Sequence, residues 1–120
     1  MSALRTIHDV PVLLCPEEGD PIRGEADATG LIGEAGYQGA RWVALPAGRL
    51  DEEFFRLRTG VAGGIAQKFA QYRMGLAVLG DIARHTAASE ALRDFVRECN
   101  RGRQLWFVDG LPELEERLRG

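Results

Sequence analysis

Cysteine and histidine are scarce, with two of each in 120 residues. Cys15 and Cys99 form no C-x-x-C pair and have no histidine nearby, so the spacing of a zinc site is absent. They read as buried free thiols. Long apolar runs are missing too. None approaches the roughly 20 residues of a membrane-spanning helix, and no basic stretch followed by an apolar one marks a signal peptide. The expectation is a cytoplasmic protein that does not engage a membrane. An excess of positive charge is also lacking: 15 Lys and Arg stand against 18 Asp and Glu, a net charge of −3. That disfavours nucleic acid as a partner, because phosphate contacts need a dense basic footprint. Arginine does cluster at Arg97, Arg101 and Arg103 and at Arg117 and Arg119, but acidic residues interleave with it, as on a solvated face.

What is present is an ordinary globular composition, 45% hydrophobic. The length suits one domain spanning residues 1–120, with no linker, repeat or low-complexity tract. Residues 4–8 and 10–15 read as two short strands joined at His8-Asp9, with Pro11 marking an edge or a strand start. A helix over 27–38 follows, its buried stripe being Ala28, Leu31, Ile32 and Ala35. Gly30, Gly33 and Gly36 make a smooth ridge suited to close packing. Trp42 to Leu45 is a buried strand ended by Pro46. Asp51 caps a short helical piece, and Thr59 is expected to cap a longer helix through Tyr72 with a core face of Val61, Ile65, Phe69 and Tyr72.

Leu76 to Leu79 reads as a central strand ending in Gly80-Asp81. A loop through His85 then leads to a helix starting between Thr86 and Ser89, with Leu92, Phe95, Val96 and Cys99 on one face. Gly102 stops it. Leu105 to Val108 is the last strand, and Leu111, Leu114 and Leu118 mark a closing helix that Pro112 helps to start. The order is ββαβαβαβα. Strands alternating with helices call for a mixed, mostly parallel sheet packed with helices, antiparallel only at the N-terminal pair.

Two resemblances attach to these residues. Phe54-Phe55-Arg56-Leu57-Arg58-Thr59-Gly60-Val61-Ala62-Gly63, Gln67-Lys68-Phe69, Gly80-Asp81, Leu92-Arg93-Asp94-Phe95 and Glu98-x-Asn100-Arg101-Gly102-Arg103-Gln104 resemble a bacterial domain-of-unknown-function family, number four-one-eight-zero. The element order is similar to the STAS domain of anti-sigma-factor antagonists and to the SpoIIAA-like proteins. In those antagonists an Asp-Ser-Ser-Gly motif carrying the phosphoacceptor serine opens the helix after the third strand. Here the corresponding place reads Leu57-Arg58-Thr59-Gly60: the hydroxyl before glycine is retained, and the acidic residue has no counterpart.

Three places carry chemistry. Thr59-Gly60, with Gly63 and Gly64, joins a hydroxyl to a helix start, either an anion-binding end or a structural cap. No Lys-Ser/Thr pair follows, so it is not a Walker loop. Gly80-Asp81 lies at a strand's carboxyl end, where open α/β sheets hold ligands. His85 nearby offers an acid-base partner for Asp81, or else Asp81 accepts loop N–H bonds and His85 is solvated. Glu98, Asn100, Arg101 and Arg103 crowd a helix exit, as ion pairs or as an anion-reading surface. Trp42 and Trp106 read as core. The resulting expectation is a STAS-like protein-binding regulatory module working through Arg58, Thr59 and Gly60. The alternative is a small-molecule or enzymatic pocket at Gly80-Asp81 near His85. No cofactor or metal is expected, and a homodimer through the glycine ridge is a third reading.

Overall fold

The computed structural model describes residues 1–120. Strands β1 (Ala3–Ile7) and β2 (Val10–Leu14) form a hairpin around His8 and Asp9, both at positive φ, 49° and 68°. That pair of left-handed residues is what a two-residue turn matched to strand twist requires. Strands β3 (Trp42–Pro46), β4 (Gly75–Leu79) and β5 (Leu105–Val108) follow in parallel, giving the sheet order β1-β2-β3-β4-β5. Only β1 and β2 pair antiparallel. The helices are α1 (Glu25–Tyr37), α2 (Val61–Gln71), α3 (Ala83–Ala88), α4 (Glu90–Arg101) and α5 (Leu111–Leu118). The architecture is α/β with a mostly parallel sheet, close to the order read from the sequence. Its difference is the extra short helix α3.

Alternation along the strands builds two cores. Leu13, Val43, Leu45, Leu76, Val78, Leu105 and Phe107 face α1, α2 and α4, meeting Ala28, Leu31, Ile32, Ala62, Ile65, Phe69 and Leu92. Val12, Trp42, Ala44, Ala77, Trp106 and Val108 face the other way, under Leu114 and Leu118 of α5. Strand β4 has neighbours on both sides and cover on both faces, the setting for its uninterrupted apolar run. Trp42 and Trp106 are both buried and stack at 4.2 Å between ring centroids.

Three expectations are corrected. Tyr72 is not core: α2 ends at Gln71, and the phenol is 52% exposed beyond its last turn. The ridge of Gly30, Gly33 and Gly36 packs on nothing, because the stripe of Ala28, Leu31, Ile32 and Ala35 turns the glycines to the open side of α1. The segment through His85 is not a loop. Asp81 Oδ1 accepts the Ala83 N–H at 2.8 Å and starts α3, and Ser89 then breaks the chain and caps α4 by accepting the Leu92 N–H at 3.1 Å.

Candidate functional site

Pro46 is the last residue of β3, and the chain then runs through three 3-10 turns, Ala47–Arg49, Glu52–Phe55 and Leu57–Thr59. Asp51 Oδ2 accepts the Glu53 N–H at 3.2 Å, and buried Phe54 and Phe55 anchor the middle turn to the core. The Thr59 hydroxyl lies 2.8 Å from the carbonyls of both Glu53 and Arg56, donating to one at a time, and accepts the Val61 N–H at 3.2 Å. Contrary to the expectation from sequence, Thr59 is therefore not the N-cap residue of α2, although its hydroxyl accepts the N–H of Val61, the first residue of the helix. It closes the third turn, while Gly60, at φ +80°, is the N-cap residue. A left-handed junction between a 3-10 turn and a helix suits glycine and strains threonine. Both residues are exposed.

After β4, Gly80 turns at φ +135° and α3 carries Arg84 and His85 back over these turns. The His85 imidazole stacks on Phe55, 3.9 Å between centroids and 6° from parallel. Its Nδ1 is 3.9 Å from Glu52 Oε2, and Arg84 Nη2 donates to Glu52 Oε1 at 2.9 Å. Burial against Phe55 pushes the imidazole pKa down, adjacent Arg84 pushes the same way, and Glu52 pulls it up by less. His85 is thus a neutral ring at neutral pH, and its contact with Glu52 is not an ion pair. The hydrogen bond from Arg84 holds the Glu52 carboxyl below its usual range.

Two depressions result. One is a groove of about 580 Å³ between the 3-10 turns and α3, lined by Phe55, Arg56, Arg58, Arg84, His85 and Glu52 among others. The second is a cleft of about 390 Å³ at the carboxyl ends of β4 and β5, with Asp81, Arg93, Arg97 and Asp109 around Phe107. Arg58 and His85 are brought together; Asp81 and His85 are not. The carboxylate beside the imidazole is Glu52, because α3 carries His85 away from the cleft that Asp81 lines.

A family model described as a domain of unknown function (DUF4180) matches residues 7–118. The chain belongs to that family. No curated protein and no solved structure matches it.

In this DUF4180 chain the segment Phe54 to Gly63 forms one wall of the groove and the start of α2. Arg103 lies elsewhere, before the first residue of β5, with its guanidinium 5.4 Å from the Trp106 ring centroid. Asn100 bonds both main-chain groups of Phe107, accepting its N–H at 2.8 Å and donating to its carbonyl at 3.2 Å. Neither thiol is activated by its surroundings. Burial raises the Cys15 pKa, and burial with Glu98 nearby pushes Cys99 up to about 11. Sequence reasoning missed Glu52, Phe55, Arg56 and Arg84 as groove residues. Their only signal was their place in, or close to, the motifs carrying the family resemblance.

Proposed function

We propose that this chain is a cytoplasmic, STAS-like regulatory module that binds an acidic segment of a protein partner in the groove between the Arg56–Thr59 turn and α3. The observation that carries the reading is the charge of that groove. Three guanidiniums, Arg56, Arg58 and Arg84, line it against the single carboxylate of Glu52, in a chain whose net charge is −3. Arg56 is paired with Glu53 and Arg84 with Glu52, whereas Arg58 makes no ion pair. A forked, unpaired donor beside the apolar ring of Phe55 suits an incoming carboxylate or phosphate.

Thr59 stands at the end of this wall, exposed, just ahead of α2. A negative charge there would sit beside Arg58 and the first turn of α2, and would oppose an acidic partner. Affinity capture with wild type, Arg58→Glu, Thr59→Glu and Thr59→Ser tests the reading, with circular dichroism as folding control. A partner held by wild type and Thr59→Ser and lost from Arg58→Glu and Thr59→Glu supports it. Partners retained unchanged by the two Glu variants defeat it.

One observation favours a second reading, a small ligand in the cleft at Gly80-Asp81. The cleft lies beyond the carboxyl ends of parallel strands, where such sheets hold ligands, and presents carboxylates and guanidiniums over an apolar floor. Asp81→Asn and Arg93→Ala should then abolish co-purification of a small molecule detected by native mass spectrometry, while the fold is kept.

A further inference from the structure

The two edges of the sheet are treated differently by the sequence. On the β5 edge the Asn100 side chain takes the place of a neighbouring strand, accepting the Phe107 N–H and donating to the Phe107 carbonyl. A side-chain amide that fills both positions closes an edge against further pairing. The β1 edge has no such device. Ala3, Leu4, Arg5 and Thr6 are all exposed, no side chain bonds their outer main chain, and neither proline nor glycine interrupts the strand.

Which main-chain groups are open follows from the hairpin. In a two-residue hairpin the flanking pair, here Ile7 and Val10, exchanges both hydrogen bonds, and bonded pairs then alternate along the ladder. Ile7, Arg5 and Ala3 therefore bond to β2, while Thr6 and Leu4 direct N–H and C=O outward. The far side of β2 agrees. Pro11, which is opposite Thr6, turns its carbonyl to β3 and accepts the Arg41 N–H at 2.8 Å. Leu4 lies opposite fully buried Leu13, yet stays 42% exposed because no helix of this chain covers it.

We infer that the β1 edge is a self-association surface: two copies pair β1 with β1 antiparallel across a two-fold axis, with Leu4 opposite Leu4 of the second copy. Charge and alternation select this register. Placing the axis at Arg5 would set Arg5 opposite Arg5 and use fewer outward groups, and like charges directly opposed destabilise a sheet. Centring on Leu4 sets Arg5 opposite Ala3 and Thr6 opposite Ser2. Leu4 is then a bonded pair with itself, Thr6 and Ser2 continue the ladder, and about six main-chain hydrogen bonds form. The two Leu4 side chains meet on the face where each is uncovered. Arg5 stays free to keep its 3.1 Å ion pair with Glu115 of its own chain. The second copy fits because the exposed residues are self-complementary under this axis, as an isologous interface requires. This surface is independent of the groove at Arg58.

Sedimentation equilibrium of the full chain tests it. Wild type is expected at twice the 13.2 kDa chain mass. Leu4→Glu and Leu4→Lys should each fall to the chain mass, since like charges then face one another, and mixing the two should restore the doubled mass. Thr6→Pro removes one outward N–H without touching the bonds to β2, and should likewise give the chain mass. Circular dichroism verifies that each variant is folded. Wild type at the single-chain mass overturns the proposal, as does a folded Leu4→Glu or Thr6→Pro variant that keeps the doubled mass. A Glu and Lys mixture that stays at the chain mass overturns the Leu4-centred register.

Discussion

Gly75 and Trp42 give a sharp test of the packing between β3 and β4. They are direct partners in the parallel register, and a Cβ at position 75 would lie 2.3, 2.4 and 2.6 Å from Trp42 Cδ2, Cε2 and Cε3. Carbon atoms pack at about 3.5–4.0 Å, so Gly75→Ala needs a displacement of about 1 Å. The indole has nowhere to go. It is stacked on Trp106, which is fixed by its Nε1–H donating to the Gly102 carbonyl at 2.7 Å and by the Arg117 guanidinium 4.5 Å from its ring centroid. Overpacking costs about 1–3 kcal/mol, and losing the aromatic stack adds about 0.5–1.5 kcal/mol. Gly75→Ala should therefore destabilise by about 2–4 kcal/mol and lower Tm by about 8–16 °C. This is opposite in sign to the gain of about 0.4–1 kcal/mol for an unstrained glycine-to-alanine change. Urea melts followed by tryptophan fluorescence measure it. In a Trp42→Leu background the same change should lose most of its cost, the coupling expected of touching residues. A Gly75→Ala protein as stable as wild type, or equal costs in both backgrounds, would refute the reasoning.

Other outcomes follow from the same contacts. Phe69→Ala, which removes a fully buried ring from α2, should cost about 3–5 kcal/mol, read as a lowered urea midpoint. Ser89→Ala, which removes the hydroxyl capping α4, should cost about 0.5–2 kcal/mol by the same assay. For His85 the sign is set by a folded pKa below the unfolded value of about 6.5. Below about pH 6.5 the unfolded chain holds the extra proton, so stability falls on acidification until the folded pKa is passed. His85→Phe keeps the stack and lacks the proton. Its urea midpoint should fall less than that of wild type from about pH 7 to pH 5, and parallel curves would remove His85 as the cause.

The fold was legible wherever burial is extensive. The uninterrupted apolar runs of β3, β4 and β5 reflect a sheet covered on both faces, the stripe of Ala28, Leu31, Ile32 and Ala35 marks the buried face of α1, and those signals are strong because each misplaced apolar side chain costs about 1.5–3 kcal/mol. Tyr72 was misread because it continues the periodicity of α2 one step past the helix end, where no core remains. The site was less legible. Thr59 precedes glycine and reads as a cap, but the helix start depends on the positive φ of Gly60, and the hydroxyl was claimed by carbonyls earlier in the turn. His85 and Asp81 are four residues apart in sequence and line different depressions, because the Asp81 carboxylate itself starts the helix that carries His85 away. The pairing of His85 with Phe55 and of Arg84 with Glu52 joins residues about 30 positions apart, and no local pattern encodes that.

The placement of both depressions follows from the topology. The 3-10 turns leave the carboxyl end of β3, α3 leaves that of β4, and Asp109 leaves that of β5, so parallel pairing brings all three connections to one rim of the sheet. Connections are where a rigid scaffold tolerates irregular backbone and exposed charge. The rim here is not loose, however. The Phe55–His85 stack and the Glu52–Arg84 bond tie the connection after β3 to the one after β4, and Asp81 anchors the latter to the strand end. A segment lying along Arg56 and Arg58 would contact two connections already fixed to each other, so the groove itself would lose little conformational freedom on binding. Arg103, on the connection leading into β5, lies at the opposite end of the parallel strands and does not take part. The β1 edge is likewise set apart, which leaves the rim open when two copies pair through Leu4.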